Sequence, residues 1–305
     1  MTLPPGDSGQ LPAYPERQPP TPGPSDVPPY QQAAPYGQYP PAARYAGPQP
    51  PAAPARYGRV GVVPWTFAQT LIGTAITLVP WVLLIVVAQV LAPPSATPVQ
   101  PLPRTVDAAT AVVTFIFTAV VEAAFLLAPA FFAMLRRAPG VSVRDGLRAL
   151  GFRGVGWGGA IGAFFLGLGV IIVASIAYSL IVETFKLPLQ TNAETLQNQA
   201  RYAPITTIAL LAGAVLIAPF CEEVFFRGYL FGGLLRGMPA WIAIVLSALL
   251  FGIAHGDVGS FALLLVIGLV LAIMRWRLGS IWPGMLLHAC NNATAAVAIF
   301  YTLAH

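Results

Sequence analysis

The chain has 305 residues, 56% hydrophobic and only 9% charged, with a mean hydropathy of +0.71. Soluble domains carry about 25% charged residues, so a soluble globular protein is excluded and a membrane protein is expected. The net charge of +5 does not indicate nucleic acid, because the arginines fall where membrane segments place them, and two cysteines, Cys221 and Cys290, both in apolar runs, do not make a disulfide framework.

The first stretch, residues 1–58, holds 17 of the 31 prolines in a context rich in Gln, Tyr, Ala and Gly. Such a composition cannot bury a core, so a disordered cytosolic tail is expected. It has no basic n-region followed by an apolar h-region, so no signal peptide is expected and the first membrane helix serves as the address. The prolines suit either a plain tether or a segment that binds a partner domain as polyproline II.

Crossing a hydrocarbon core of ~30 Å takes about 20 apolar residues. Seven segments meet or approach that measure: 65–92, 108–135, 157–182, 205–235, 240–256, 260–275 and 281–303. The fifth and sixth are short, which leaves a range of six to eight. The runs are continuous rather than alternating, so the expected fold is all-α, a multi-pass helical membrane bundle and not a barrel. With the N-terminus inside, twelve of the sixteen basic residues lie inside, among them Arg59, Arg144, Arg148, Arg153, Arg236, Arg275 and Arg277, against Arg104, Lys186 and Arg201 outside. The longest outside connection, Glu183 to Ala203, is polar and suits a short surface helix with Asn192 as its cap. No internal repeat of the transporter kind is evident.

Ionisable side chains inside membrane helices are costly, about 2.5 to 3.5 kcal/mol each at the centre, and are functional candidates by default. Here they are Glu122, Glu222, Glu223, Arg227, His255 and His288, joined by Asn291 and Asn292. On a helix Glu223 and Arg227 share a face at i, i+4, whereas Glu222 points elsewhere and is free to face a cavity. A buried ion pair that merely locks packing is the plain alternative, and two adjacent acids strain it because one guanidinium neutralises one of them. His255 ends the fifth segment, where an interfacial or packing role is common. His288 and Asn292 are one turn apart on the last segment, where hydrogen bonds between helices are the ordinary role. Glu122, in FTAVVEAAFLL, is expected to pair with a polar group elsewhere in the bundle. Cys290 lies about 200° around the helix from His288 and reads as a small buried hydrophobe rather than a nucleophile.

Taken together, these groups on three helices could converge on one polar cavity. A carboxylate or His there can activate water, and His or Asn donors can stabilise an oxyanion. Alternatively Glu222, His255 and His288 could be the three protein ligands of a catalytic zinc. Spacing does not choose between them, and no HExxH helix is present.

The order EEVFFR, FGIAH, HACNN resembles the motifs EExxxR, FxxxH and HxxxN of the CAAX-processing and bacteriocin-processing intramembrane proteases, also called the Abi or type II CAAX prenyl endopeptidase family. The resemblance covers roughly residues 205–303. It implies a catalytic core at 204–305 after N-terminal membrane helices and loops at 59–203. It also implies that Glu222 with His255 activates water and that Glu223 and Arg227 organise their helix. His288 and Asn292 would stabilise the oxyanion or, in the metalloprotease view, help hold a metal-bound water, so zinc is the cofactor to test. The expected partners are membrane lipid and a membrane-associated protein or peptide substrate. A Gly-, Pro- and Arg-rich chain nearly free of lysine suggests a bacterial cell membrane, with leader peptides, pheromones or protein tails as substrates. A non-enzymatic scaffold of the same fold and a proton-coupled transporter are the rival readings.

Overall fold

The computed structural model describes residues 58–91, 100–136, 139–189 and 192–304. The tail expected at 1–58 lies outside these except for Gly58. Among the described residues there is no strand, and the helices make an all-α membrane bundle.

Helix α1 (Phe67–Leu91) tolerates Pro80 in its interior. Helix α2 (Arg104–Ala123) continues through a 3₁₀ turn at Ala124–Leu126 and a π-helical stretch at Ala130–Leu135. Pro129, which has no N–H to give the preceding turn, sits at that change of pitch. The short helix α3 (Val143–Leu150) starts at a capping box in which Ser142 and Asp145 exchange bonds, and it stops at Gly151 with φ 104°. Helix α4 (Trp157–Thr184) is apolar on all sides, and α5 (Asn192–Tyr202) is the expected surface helix, with Asn192 inside it rather than before it.

Helix α6 (Pro204–Leu216) begins with proline in its first turn, where the missing N–H costs nothing. Its next two N–H groups, on Ile205 and Thr206, donate to the carboxylate of Asp107 in α2 at 2.9 Å each. This fixes the starts of α2 and α6 side by side, and the two helices then run parallel. Helix α7 (Ala218–Glu222) passes into a π-helical segment, Glu223–Leu230, and returns to α-helix at Phe231–Leu234. The regular α-helix expected over 205–235 is therefore corrected: it is broken at Ile217 and widened from Glu223 onward. Helices α8 (Ala240–Ala254), α9 (Phe261–Leu278) and α10 (Trp282–Ala304) complete the bundle.

Five spans are long and apolar enough to cross a membrane: Phe67–Val87, Arg104–Leu135, Trp157–Thr184, Pro204–Leu234 and Phe261–Leu278. The other two expected segments are helices as well, α8 with 15 residues and α10 with 23 residues and a polar middle. At 1.5 Å per residue α8 is about 22 Å long, short of a ~30 Å core. His255 follows directly at its C-terminal end.

All of Glu223–Leu230 is buried, so this π segment is the central rod of the fold. Its own Phe225, Phe226 and Tyr229 pack with Phe125, Phe231 and Phe251, each less than 2% exposed. Gly228 lets α3 press on the rod, since a Cβ there would lie 2.7 Å from the Leu150 carbonyl oxygen. On the outside, Leu166 and Val173 of α4 are largely exposed, as a lipid-facing surface requires.

The arginines counted on one side come together. Arg153 donates to the carbonyls of Arg148, Arg59 and Val60, Arg59 donates its N–H to Trp276 O, and Arg236 donates to Val63 O. At the opposite end Leu102, two residues before Arg104, donates its N–H to Tyr202 O, one residue past Arg201.

Candidate functional site

Glu222 closes α7 and Glu223 opens the π segment, so the two acids straddle the change of pitch. π-helical turns are rare and favour functional sites because they loosen local backbone bonding. Here Arg275 of α9 takes up a carbonyl of the segment, its Nε donating to Arg227 O at 3.1 Å. The same guanidinium donates to Ala149 O at 2.9 Å and to Gly279 O. Arg275, the last residue of the expected segment 260–275, is 1% exposed in the last turn of α9.

Glu223 and Arg227 form the expected pair, with Arg227 Nη1 2.8 Å from Glu223 Oε1 and both side chains buried. Arg227 also donates to Gly268 O at 3.4 Å, and its guanidinium carbon lies 4.2 Å from the centre of the Phe251 ring. Gly284 of α10 allows the last helix to close on this pair, since a Cβ there would come 3.2 Å from Glu223 Oε2.

His288 bridges the two acids. Its Nδ1 is 3.4 Å from Glu223 Oε1 and its Nε2 is 3.8 Å from Glu222 Oε2. His255 approaches Glu222 from the other side, Nε2 to Oε2 at 3.9 Å. Its Nδ1 lies 2.8 Å from Phe251 O. A carbonyl can only accept, so the neutral ring carries its proton on Nδ1 and presents the Nε2 lone pair to Glu222. Phe251, the first residue of FGIAH, sets both rings: it meets His255 edge-on at 4.6 Å and His288 at 5.6 Å.

Glu222, Glu223, Arg227, His255 and His288 are thus brought together from the end of α7, the π segment, the end of α8 and α10. Asn292 is placed differently: its Nδ2 donates to Ala214 O of α6 at 2.8 Å, and its Oδ1 faces Asn291 Nδ2 at 3.4 Å. Cys221 and Cys290 are both free thiols.

Four residues outside the motifs join the site. Glu122, Trp81, Ile85 and Phe125 line a cavity of about 150 Å³ together with Glu222, Phe226, Ala254 and His255. The Trp81 indole donates to Ala254 O at 2.7 Å and so holds the end of α8 beside His255. The expected polar partner of Glu122 elsewhere in the bundle is not found, as Glu122 Oε2 has none among the described residues. The available signal was its position as a lone acid amid an apolar run. Trp81 left no such signal.

No group of three or more His, Cys, Asp or Glu among the described residues could hold a metal ion. Glu222 Oε2 lies 3.9 Å from His255 Nε2 and 3.8 Å from His288 Nε2. These side chains are thus not pre-arranged as the closed ligand set that the zinc suggested by the motifs would take.

Glu222 Oε2 and His255 Nε2 are too far apart for a direct hydrogen bond and suitably spaced for one bridging water. Such a water would face a carboxylate and an imidazole lone pair, the partners that remove its proton as it attacks a carbonyl carbon. The arrangement is suited to hydrolysis in a water-poor setting.

Comparison with known proteins agrees with the motifs. A protein of Bacillus subtilis (strain 168) with the name "Putative membrane peptidase YdiL" is 25% identical over 165 residues, which is 54% of this chain and 64% of that protein. The chain therefore spans just under two thirds of that relative's length. No solved structure matches. The family described as "Type II CAAX prenyl endopeptidase Rce1-like" matches residues 204–294. Those residues carry all three motifs, and over them the chain is similar to the Rce1-like, type II CAAX prenyl endopeptidase family.

Proposed function

We propose that the protein is an intramembrane endopeptidase that hydrolyses a peptide bond of a membrane-associated protein or peptide. The observation that carries the reading is the approach of His255 and His288, from two different helices, to within 4 Å of one buried carboxylate oxygen of Glu222. Glu222 and His255 hold the water and accept its proton as its oxygen adds to the scissile carbonyl. The C–N bond of the tetrahedral intermediate then breaks, the amine leaves with that proton, and a carboxylate is left on the other product. Glu223, Arg227 and Phe251 fix the two acids and both histidine rings. His288 lies next to Glu222 and is the donor for the developing oxyanion, and Asn292 joins it by exchanging its bond to Ala214 O when substrate enters.

The protein works in a cell membrane with its tail and arginine-rich end in the cytosol. The substrates are peptide or protein tails held in the bilayer, for which a prenyl group is not a requirement. The zinc suggested by the motifs remains to be tested, and the donor geometry favours water activation without it.

The test is cleavage of membrane-tethered reporter peptides by purified protein in detergent, with Glu222→Gln and His255→Ala beside the wild type. Losing a general base costs about 10² to 10⁴ in rate, so each variant is expected to fall at least a hundredfold, and a chelator is expected to leave the wild-type rate unchanged. A Glu222→Gln protein that cuts as fast as wild type would sink the assignment. A chelator that stops cleavage would return a metal to the mechanism.

A further inference from the structure

We propose that Glu122, on α2 and outside the residues that match the family, is a third catalytic side chain: it holds the attacking water from the side opposite Glu222. The inference rests on the endopeptidase reading above.

Three observations converge on it. The first is register. Asp107 ties the start of α2 to the start of α6, and the two helices run parallel from Arg104 and from Pro204. Glu122 and Glu222 stand equally far along from those two starts, and both line the same cavity. Gly213 keeps the helices close along the way, since a Cβ there would lie 3.0 Å from Thr118 Cγ2.

The second is burial. Glu122 is 9% exposed, and its Oε2 has no hydrogen-bond partner among the described residues. Burying an unsatisfied polar atom costs about 1 to 3 kcal/mol, so a carboxyl oxygen left without a protein partner on a residue at the wall of a cavity is expected to serve whatever the cavity holds.

The third is the count of polar partners. A buried water makes about three hydrogen bonds. The other wall residues are Trp81, Ile85, Phe125, Phe226 and Ala254, and the Trp81 indole already bonds the Ala254 carbonyl. This leaves Glu222, His255 and Glu122 as the side chains that can reach a water there. The first two take its two protons, so the third bond runs the other way, donated by the Glu122 carboxyl to the water oxygen. A cavity of about 150 Å³ has room for such a molecule, whose share of liquid volume is about 30 Å³. In this position Glu122 turns the water's free lone pair away from itself and toward the substrate carbonyl.

The test uses Glu122→Leu and Glu122→Gln in the full-length protein, assayed on the same reporters. Leucine removes the donor and glutamine keeps one. The expected result is a fall of at least tenfold in kcat for Glu122→Leu with KM unchanged and with thermal unfolding no lower than wild type. Glu122→Gln is expected to recover to within threefold of wild type, a rescue that a packing role would not give. Full activity of Glu122→Leu overturns the proposal, and so does a glutamine variant as slow as the leucine one, because the group would then carry a proton rather than hold a water.

An experimental structure fine enough to show ordered water reads the same claim without substrate. A water within about 3.2 Å of Glu122, Glu222 Oε2 and His255 Nε2 is expected, lost in Glu122→Leu. Its absence from the wild type overturns the proposal whatever the rates. Its presence in a protein that cuts no reporter refutes the endopeptidase reading and leaves the water site standing.

Discussion

Two guanidinium groups are buried within the bundle, and each is neutralised in a different way. Arg227 has a carboxylate at 2.8 Å and an aromatic face at 4.2 Å. Arg275 is held instead by backbone carbonyls from three places, Arg227, Ala149 and Gly279. Its planar fork serves all three at once, which a single ammonium cannot do. Arg275→Met leaves three buried acceptors without a donor, and the loss is expected to be roughly 3 kcal/mol or more. Thermal unfolding in detergent should show a clear drop for Arg275→Met and only partial recovery for Arg275→Lys. An unchanged midpoint would mean that the carbonyls find other donors. Sequence counting could not separate this arginine from Arg277, two residues on, because a helix end and a loop carry the same charge signal.

At the scale of elements, helix α3 depends on its first turn. Ser142 Oγ accepts from Asp145 N at 3.1 Å, and the Asp145 carboxylate accepts from Ser142 N at 3.1 Å. The Ser142 hydroxyl and then the Ser142 backbone N–H hold the Asp145 carboxyl below its usual value. A lowered value in the folded state means that the cap is intact above the ordinary carboxylate range and is lost as pH falls through the folded-state value. Hydrogen exchange should therefore show α3 amides losing protection in acid before the core helices, and Ser142→Ala should produce the same loss at neutral pH. Equal protection in both proteins would remove the cap from the account. How much of this architecture was legible follows from such cases. Apolar runs located a helix at each of the seven expected segments to within a few residues, five of them long and apolar enough to cross a membrane, because burial in lipid and burial in protein select the same side chains. The π segment was not legible, since an i→i+5 backbone leaves no mark on a run that is buried on every side. The union of Glu222, His255 and His288 was expected from their scarcity among apolar residues. The contribution of α1 and α2 was not, because Trp81 and Phe125 look like any other membrane aromatic.

For the whole molecule, arginine placement and helix direction give one topology. Arg144 at the arginine-rich end and Thr195 in α5 are both exposed and belong to opposite ends. In intact cells a membrane-impermeant maleimide is expected to label Thr195→Cys and to reach Arg144→Cys only after the membrane is opened. The opposite pattern would invert the orientation. Helix α8 adds a consequence of its own. Trp241, Val245 and Ile253 face outward along it, so lipid meets a wall about 22 Å tall where the neighbouring spans are taller. Acyl chains beside it must shorten or splay, at fractions of a kcal/mol per Å of mismatch, and the surface of the bilayer dips there. That dimple would bring headgroups and water down along α8 toward His255, so the protein itself would shape the lipid into a shallow well beside the cavity.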